Sequence, residues 1–336
     1  MFKVKDTKSK MPAEPSDKEK EEKMKELLYR MQDVEDDEGF AKMENTRMRY
    51  LVGYEWDLEE AEIRLRDTVQ WRKERRPLEA DCKYCEDQPG FHAWRQVGHD
   101  KTGRPVIYSC FAQASTQHYT AEDNVQHLLH LAENAKRSML QDACRWVWVL
   151  DVTGMTLSAC NPRLGSAVNS VIATHYTERL GNVIIVNHGW LFEGAWKAIK
   201  IFVHKNTLAK ARLARGDNKI EKCFEEFFDP SLTRWFLQEL RLNKHKPMLP
   251  SQKSFWKPPD DPDSHDPRGC PDYVRNYLDP YYRQVVCKQT GMSRDELPKT
   301  PPMHEPHPNY VQDMRERAKR QQSRNQDDEE DINQDW

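Results

Sequence analysis

The sequence predicts an α/β fold with a mostly parallel sheet, preceded by a helical module and followed by a C-terminal extension. Three runs rich in β-branched and aromatic residues support this prediction: VIYSCF at 106–111, RWVWVLDV at 145–152 and NVIIV at 182–186. A helix-length segment separates each run from the next, which is the order found in βαβ units. Parallel strands are covered on both faces, so continuous apolar runs of this kind are expected.

The N-terminal part is expected to be helical. Residues 1–23 alternate Lys with Asp and Glu and carry almost no large apolar residue, which is typical of a solvated tail or a frayed helix start. Further along, Asp57 and Glu60 form a capping-box-like start, and apolar residues then recur on one helical face as far as Trp71. We therefore predict a solvated tail over 1–23 and a small helical module over 24–76.

The main α/β domain is predicted over residues 77–249. Between its second and third strands, Asn161 can cap a helix, Pro162 occupies the first helical position, and Gly181 is expected just beyond the helix end. His175 on this helix, like Tyr176 after it, is interpreted as a packing residue. A fourth strand is expected near 208–214.

Residues 250–336 are predicted to be an extension that is partly disordered or wraps the domain. Eleven of the 20 prolines lie between Pro258 and Pro308, and the chain ends in the acidic run DDEEDINQDW. Such composition does not favour a packed core of its own.

The charge balance gives no reason to expect a nucleic-acid partner. The 52 basic and 55 acidic residues leave a formal net charge of −3, so any attraction to an anionic surface must be local. The N-terminus lacks the apolar stretch of a signal peptide, and no later run reaches the roughly 18 apolar residues of a spanning helix. We expect a cytoplasmic protein that contacts membranes peripherally.

The eight cysteines resemble reduced core thiols rather than a disulfide framework. Cys82 and Cys85 form a CxxC pair, but zinc sites usually have a second pair of ligands at similarly close spacing. The nearest histidines, His92 and His99, are seven residues apart. The spacing therefore predicts neither a metal nor another cofactor.

Sequence motifs for catalysis are missing. The 13 glycines include no GxG pair, which argues against a Rossmann or kinase-type glycine loop, and neither a P-loop nor a GxSxG elbow occurs. Asp151 ends a predicted strand, where catalytic carboxylates of open sheets often lie. The alternative is that Asp151 accepts hydrogen bonds from local backbone amides in the turn that follows. We predict no catalytic residue and favour the second interpretation.

Several segments together resemble the CRAL-TRIO lipid-binding domain family, typified by the yeast secretory phosphatidylinositol transfer protein. They are KTGRPV (101–106), VLDVTGMTL (149–157), HYTERLGNVIIVN (175–187) and WLFEGAWKAIKIFVHKNTLAK (190–210). Residues 48–72 are similar to the helical module that precedes this domain in the family. The resemblance covers about 45–215 and implies a sheet that floors a lipid pocket, closed by an apolar gate helix.

The resemblance assigns the gate helix to residues 190–203. The six Lys and Arg residues of 190–215 outnumber the single acid Glu193 by five, which suits docking on an anionic membrane. The implied gate residues are Leu191, Phe192, Trp196, Ile199 and Phe202, with membrane contacts from Lys197, Lys200 and Lys205. The same apolar stripe is also compatible with ordinary core packing. The implied pocket lining is Tyr108, Trp146, Trp148 and Val152.

The resemblance also implies a lipid headgroup site at Glu178, Thr207 and Lys210. A hydroxyl and an ammonium donate to phosphate, and a carboxylate accepts from inositol hydroxyls. However, the family's Arg-Lys pair falls on Tyr54 and Glu55, so the site lacks two cations. Small hydroxyl residues of the family fall on Trp146 and Trp148, where two indoles would reshape the pocket.

The sequence therefore favours a non-enzymatic carrier that holds a lipid or another hydrophobic small molecule, such as a phospholipid or phosphatidylinositol, and exchanges it at membranes. Two alternatives remain open. One is a scaffold of the same fold that binds a protein partner, such as a small GTPase, through its surface or its C-terminal extension. The other is an enzyme with a site around Asp151.

Overall fold

A computed structural model of the chain describes residues 14–36, 38–80, 82, 92–113, 120–140, 142–156, 162–200, 208–253 and 255, with the backbone alone described at 137, 162–164, 198 and 199. The chain divides into two compact units. A helical unit comprises Met1–Arg76 and Ile172–Arg179, and an α/β unit comprises Pro77–Val171 and Leu180–Trp336.

The helical unit contains helices α1 (Asp17–Arg30), α2 (Glu44–Gly53) and α3 (Leu58–Arg75). Helix α1 begins inside the segment predicted as a tail or helix start, because Ser16 and Glu19 form a reciprocal capping box. Capping of this kind satisfies backbone amides that have no partner within the helix.

Helix α3 confirms the predicted start of the main N-terminal helix. The side chain of Asp57 accepts hydrogen bonds from the backbone amides of Glu59 and Glu60, each at 3.0 Å. The first turn is acidic and the last turn is basic, which complements the helix dipole at both ends.

The core of the helical unit includes Tyr50, which is fully buried and donates from its hydroxyl to Thr68 Oγ1 at 2.6 Å. Burial raises the pKa of Tyr50 to about 12. The His175 ring stacks on Trp71, with centroids 4.1 Å apart and planes 7° from parallel. Burial lowers the pKa of His175 to about 4, so the ring packs in its neutral form at neutral pH. The interpretation of His175 as a packing residue is confirmed.

The α/β unit is built on one five-stranded sheet in the order β1-β2-β3-β4-β5. The first pair is antiparallel and the other three pairs are parallel, which confirms the predicted mostly parallel sheet. The strands are β1 (Arg95–His99), β2 (Pro105–Cys110), β3 (Trp146–Asp151), β4 (Leu180–Val186) and β5 (Ala211–Ala214).

Helices connect the parallel strands and follow the last one. The connecting helices are α4 (Ala121–Arg137), α5 (Pro162–His175) and α6 (Trp190–Ile199). After β5 come α7 (Asp217–Phe227), α8 (Pro230–Leu242) and the short α9 (Pro250–Lys253). Right-handed crossovers between strands in sequential order place their helices on one face of a sheet, which leaves the other face to elements such as α7 and α8.

Two details differ from the sequence prediction. Strand β1 was not predicted, since its residues RQVGH are mostly polar. Helix α5 ends at His175, not near Gly181, and Gly181 lies in β4 beside an irregularity in the pairing with β3. Glu178 has a φ of 57°, so a non-glycine residue adopts the left-handed conformation in the turn after this helix. The Asn161 cap lies outside the described residues.

Candidate functional site

The two faces of the sheet differ in how completely they are covered. Residues alternate between faces along a strand, and the paired register extends this alternation across the sheet. We call the face that packs against α7 and α8 the closed face. Its apolar sheet residues form one buried cluster: Val97, Val106, Tyr108, Cys110, Val147, Val149, Ile184, Val186 and Ala214.

The opposite face, which we call the open face, also carries apolar side chains. Several of them are only partly buried or exposed, among them Trp148 and Leu150 in β3, Val183 in β4, and Leu213 in β5, which is 43% exposed. Strand pairing aligns these positions side by side, since Trp148 pairs with Val183 and Ile185 pairs with Leu213. The open face is therefore a continuous apolar surface that is incompletely covered.

Helix α6 packs against part of the open face. Val152, Ile185 and Phe192 form a buried cluster, surrounded by partly buried Leu150, Met155, Val183 and Trp196. Within the helix, Phe192 stacks on Trp196 with ring centroids 5.9 Å apart. Phe192 and Trp196 thus form the side of α6 that contacts the sheet.

The outer side of α6 is polar and cationic, with one exception. Lys197 and Lys200 are exposed, while Leu191 is half-buried. The exception is Trp190 at the first helical position, which is 80% exposed. Trp190 was not singled out from the sequence. An apolar inner side with lysines outside is the ordinary pattern of a surface helix on a globular core, and the exposed Trp190 is the feature that departs from it.

Glu193 links α6 to its surroundings. Its carboxylate lies 3.3 Å from His188 Nδ1 and 3.8 Å from an Arg215 guanidinium nitrogen. All of these side chains have some solvent exposure, so these contacts hold the helix weakly. Three predicted residues of this region, the side chain of Ile199 and the whole of Phe202 and Lys205, lie outside the described part of the chain.

Trp148 is the predicted lining residue with the best-defined contacts on the open face. Its indole Nε1–H donates to Ser109 Oγ at 3.1 Å, and its ring meets Trp94 edge-on with centroids 5.6 Å apart. Val152 belongs to the buried cluster with Phe192. Trp146 is fully buried, whereas Trp148 keeps part of its surface accessible.

Tyr108, which the resemblance assigns to the pocket lining, lies on the opposite face of the sheet from Trp148. It lies on the closed face, where its ring meets Trp235 and Phe236 edge-on with centroids 5.8 and 5.6 Å away. The physical reason is the two-residue period of the strand, which places Tyr108 and its neighbour Ser109 on opposite faces. Burial raises the pKa of Tyr108 well above its usual value.

Asp151 is fully buried at the end of β3 and is surrounded by donors. Its Oδ1 accepts from the Thr153 amide at 3.0 Å, the Thr153 hydroxyl at 2.7 Å and Asn187 Nδ2 at 3.0 Å. Its Oδ2 accepts from Asn243 Nδ2 at 3.2 Å and the Tyr108 hydroxyl at 3.3 Å. The interpretation of Asp151 as an anchor for the following turn is confirmed.

A second buried polar cluster fastens α8 to the sheet. Arg95 Nη2 donates to Glu239 Oε1 at 2.8 Å, and the two side chains are 0% and 3% exposed. Gln113 donates to the same carboxylate oxygen at 2.9 Å and accepts from Arg95 at 3.0 Å. The Arg95 guanidinium also lies over the Phe255 ring at 4.3 Å. Sequence reasoning missed this cluster, since its members are scattered along the chain.

The predicted headgroup residues are divided between the two units. Glu178 belongs to the helical unit, Lys210 belongs to the α/β unit just before β5, and Thr207 lies outside the described residues. The Lys210 carbonyl accepts from the Val183 amide at 3.0 Å, which fixes its backbone beside β4. Within the helical unit Glu178 lies beside Gly53, where an added Cβ would approach Glu178 Cγ to 3.5 Å. Glu178 is therefore near the start of the segment that carries Tyr54 and Glu55.

Among the described residues, no helix is long and apolar enough to cross a membrane.

Comparisons with known proteins agree with this geometry. Residues 94–234 match the family model of the CRAL/TRIO domain. A CRAL-TRIO domain-containing protein of Schizosaccharomyces pombe is 27% identical over 167 residues, which cover 49% of this chain and 16% of that protein. The chain thus spans a small part of that relative's length.

Two further proteins extend the comparison. The phosphatidylinositol/phosphatidylcholine transfer protein SFH11 of Arabidopsis thaliana is 23% identical over 274 residues, covering 75% of this chain and 71% of that protein. The crystal structure of Sfh5 superposes with a TM-score of 0.51 at 15% identity, covering 64% of this chain and 85% of that one. The structural similarity concerns the fold alone.

Proposed function

We propose that this chain, which carries a CRAL/TRIO domain at residues 94–234, binds a lipid or similar hydrophobic molecule without covalent chemistry and exchanges it at a membrane surface. The ligand would lie on the open face of the sheet, behind α6. The observation that carries the proposal is the incomplete burial of Trp148, Leu150, Val183 and Leu213 on that face.

Apolar surface beside a buried sheet is costly to leave in water. Sheets of parallel strands are normally covered on both faces, and each Å² of exposed apolar surface costs about 25 cal/mol. An acyl chain packed against Trp148 and Leu150 would remove this cost. The relatives named as phosphatidylinositol transfer proteins support a phospholipid as the ligand.

Helix α6 is proposed as the gate. Phe192 and Trp196 cover the open face from inside, while Trp190, Lys197 and Lys200 are exposed. On an anionic membrane the lysines would be attracted to the lipid headgroups and Trp190 would enter the interface. Moving α6 toward the membrane would uncover the ligand at the place where it can leave.

The headgroup residues remain part of the proposal. Lys210 and Thr207 would donate to a lipid phosphate, and Glu178 would accept from headgroup hydroxyls. Tyr54 and Glu55 stand where the family carries two cations, so we propose a phospholipid and give phosphatidylinositol no special preference.

Lipid capture tests the ligand site. The purified full chain is incubated with liposomes containing labelled phospholipids, re-isolated and extracted for mass spectrometry. We expect one class of lipid to be retained by the wild type and largely lost in Leu150→Trp, whose larger side chain occupies the open face. Gln238→Trp is the matched control, because it adds the same indole at an exposed position of α8. Capture of no lipid, or undiminished capture by a folded Leu150→Trp variant, would contradict the proposal.

Membrane attachment tests the gate. Each cation near an anionic surface contributes roughly 1 kcal/mol, so the double reversal Lys197→Glu and Lys200→Glu should reduce attachment to anionic liposomes more than tenfold. The control reverses Lys219 and Lys222, which are exposed on α7. Equal losses in both double variants would show a general charge effect and remove α6 from the mechanism.

Transfer assays test the headgroup residues. Removing a charged hydrogen bond of roughly 1.5–3 kcal/mol should weaken phospholipid transfer more than tenfold in Lys210→Ala. Lys219→Ala serves as the control. Transfer that Lys210→Ala leaves unchanged would remove Lys210 from the site while leaving the apolar pocket untouched.

A further inference from the structure

Three buried side chains away from the lipid site have the composition of a metal site. Cys82 and His92 precede β1, and His127 lies in α4. All three are buried, and their potential ligand atoms lie within 4.8 Å of one another. Cys82 Sγ is 3.5 Å from His92 Nδ1, and the rings of His92 and His127 have centroids 4.2 Å apart. The positions of Cys82 and His127 along the chain gave no sign that the two side chains meet.

We propose that Cys82, His92 and His127 bind one zinc ion. Zinc lies about 2.3 Å from sulfur and about 2.0–2.1 Å from imidazole nitrogen in a tetrahedral site, which separates neighbouring ligand atoms by roughly 3.3–3.7 Å. The distance of 3.5 Å between Cys82 Sγ and His92 Nδ1 falls in this range. The other two separations are at most 4.8 Å, and because the rings of His92 and His127 stack with planes 14° from parallel, both rings would turn out of this stack to direct a nitrogen at one ion.

A hydrogen bond to the backbone fixes the tautomer of His127. Its Nε2 lies 3.1 Å from the Trp94 carbonyl oxygen, so Nε2 carries the hydrogen and donates it. In the neutral ring this leaves the lone pair on Nδ1, so Nδ1 is the nitrogen that would bind a metal. Histidine ligands in metal sites commonly donate their second nitrogen to a backbone carbonyl in this way.

The ligand types select among metals. One thiolate and two imidazoles favour zinc and related transition metals, while magnesium and calcium prefer oxygen ligands. Three protein ligands leave one tetrahedral position for a fourth ligand. Because Cys82 and His92 precede the CRAL/TRIO match and His127 lies within it, the ion would fasten the segment that leads into the domain to α4.

Cobalt provides the direct test, since Co²⁺ occupies zinc sites and reports thiolate ligation through a charge-transfer absorption in the near ultraviolet. The full chain is stripped of metal with a chelator and titrated with Co²⁺ alone. We expect this band, with tetrahedral visible absorption, to saturate at one equivalent and to disappear on addition of Zn²⁺. At free zinc a hundred times above the dissociation constant, the thermal midpoint of the α/β unit should rise by roughly 5–10 °C.

Variants identify the ligands. Cys82→Ser should abolish the charge-transfer band, and His127→Gln should lower the Co²⁺ affinity more than tenfold. Cys223→Ser, at a half-buried thiol of α7, should change neither. A wild type that shows no thiolate band overturns the proposal even if Cys82→Ser fails to fold, and a band that persists in a folded Cys82→Ser variant also overturns it. Neither result bears on lipid capture, which is measured separately.

Discussion

The same strands present two very different surfaces. On the closed face, Tyr108, Val149 and Ile184 are fully buried beneath α7 and α8, where Phe224, Phe228 and Phe236 pack together. On the open face, Trp148, Leu150 and Val183 alternate with them and keep part of their surface accessible. Both faces are apolar, so composition does not distinguish them; completeness of packing does.

The difference in packing indicates that the two faces have different roles. Polar groups on the closed face are buried and joined to one another, as in the ion pair of Arg95 with Glu239 and the hydrogen bonds around Asp151. Such networks stabilise one arrangement and resist change. On the open face, α6 is held by a small apolar cluster and exposed ion pairs. We infer that the closed face carries stability and that the open face is the one able to exchange contents.

The largest expected effect comes from breaking the ion pair on the closed side. Glu239→Ala leaves the Arg95 guanidinium buried without its carboxylate, which should lower the free energy of unfolding by about 3–5 kcal/mol. Urea denaturation measures this loss. Gln238→Ala, one residue away and exposed on the same helix, should change stability by less than about 0.5 kcal/mol. A loss below 1 kcal/mol in Glu239→Ala would show that the closed face is not the main source of stability.

Truncating one leucine on each face compares how tightly the two faces are packed. Leu240→Ala removes a side chain that is 3% exposed in the closed core and should cost about 2–5 kcal/mol. Leu150→Ala removes the same atoms from the open face, where part of the side chain already contacts solvent, and should cost at most about 1 kcal/mol. The two variants are compared by denaturant midpoint and slope. Equal losses would mean that the open face is packed as tightly as the closed one.

The sequence predicted the elements of the sheet better than their surroundings. Strands β2, β3 and β4 were predicted because runs such as NVIIV are rich in β-branched or aromatic residues and separated by helix-length segments, and β5 was expected near 208–214. Strand β1 was missed because Arg95, Gln96 and His99 are polar, and their placement in a sheet depends on distant partners: Glu239 for Arg95 and Ser138 for both Gln96 and His99. A local pattern carries no information on such partners.

The candidate site was only partly predictable for the same reason. A two-residue period shows that Tyr108 and Ser109 face opposite ways, but only the positions of α7 and α8 show that Tyr108 takes the closed side. Phe192 and Trp196 were correctly placed on one apolar helix, whereas the exposure of Trp190 depends on what packs around α6. His127 lies far along the chain from Cys82, so spacing rules for metal ligands could not join them.

The rate of alkylation of the Cys110 thiol tests whether the closed face stays closed, and its expected effect is smaller. Burial raises the pKa of Cys110 well above its usual value, and the nearby Asp151 carboxylate raises it further. A raised pKa keeps the thiol protonated as the pH rises from 7 to 9, and only the thiolate reacts quickly. Alkylation of Cys110, followed by mass spectrometry, should therefore be at least about tenfold slower in the folded protein than in urea throughout this range. Rapid labelling of Cys110 in the folded state would indicate that the closed face opens.

The smallest expected effect lies on the open face, at the hydrogen bond between Trp148 and Ser109. Trp148→Phe removes the indole N–H that donates to Ser109 Oγ at 3.1 Å, and a neutral hydrogen bond of this kind contributes about 0.5–1.5 kcal/mol to stability. Ser109→Ala should cost a similar amount. If both single variants lose stability because they break this hydrogen bond, the double variant should lose less free energy of unfolding than the sum of the two single losses. Urea denaturation measures all three losses. Trp148→Phe also enlarges the space on the open face, so lipid capture should be retained or increased despite the lower stability. Additive losses of unfolding free energy, together with a loss of lipid capture, would contradict this expectation. They would instead show that the Trp148 indole contacts the ligand itself.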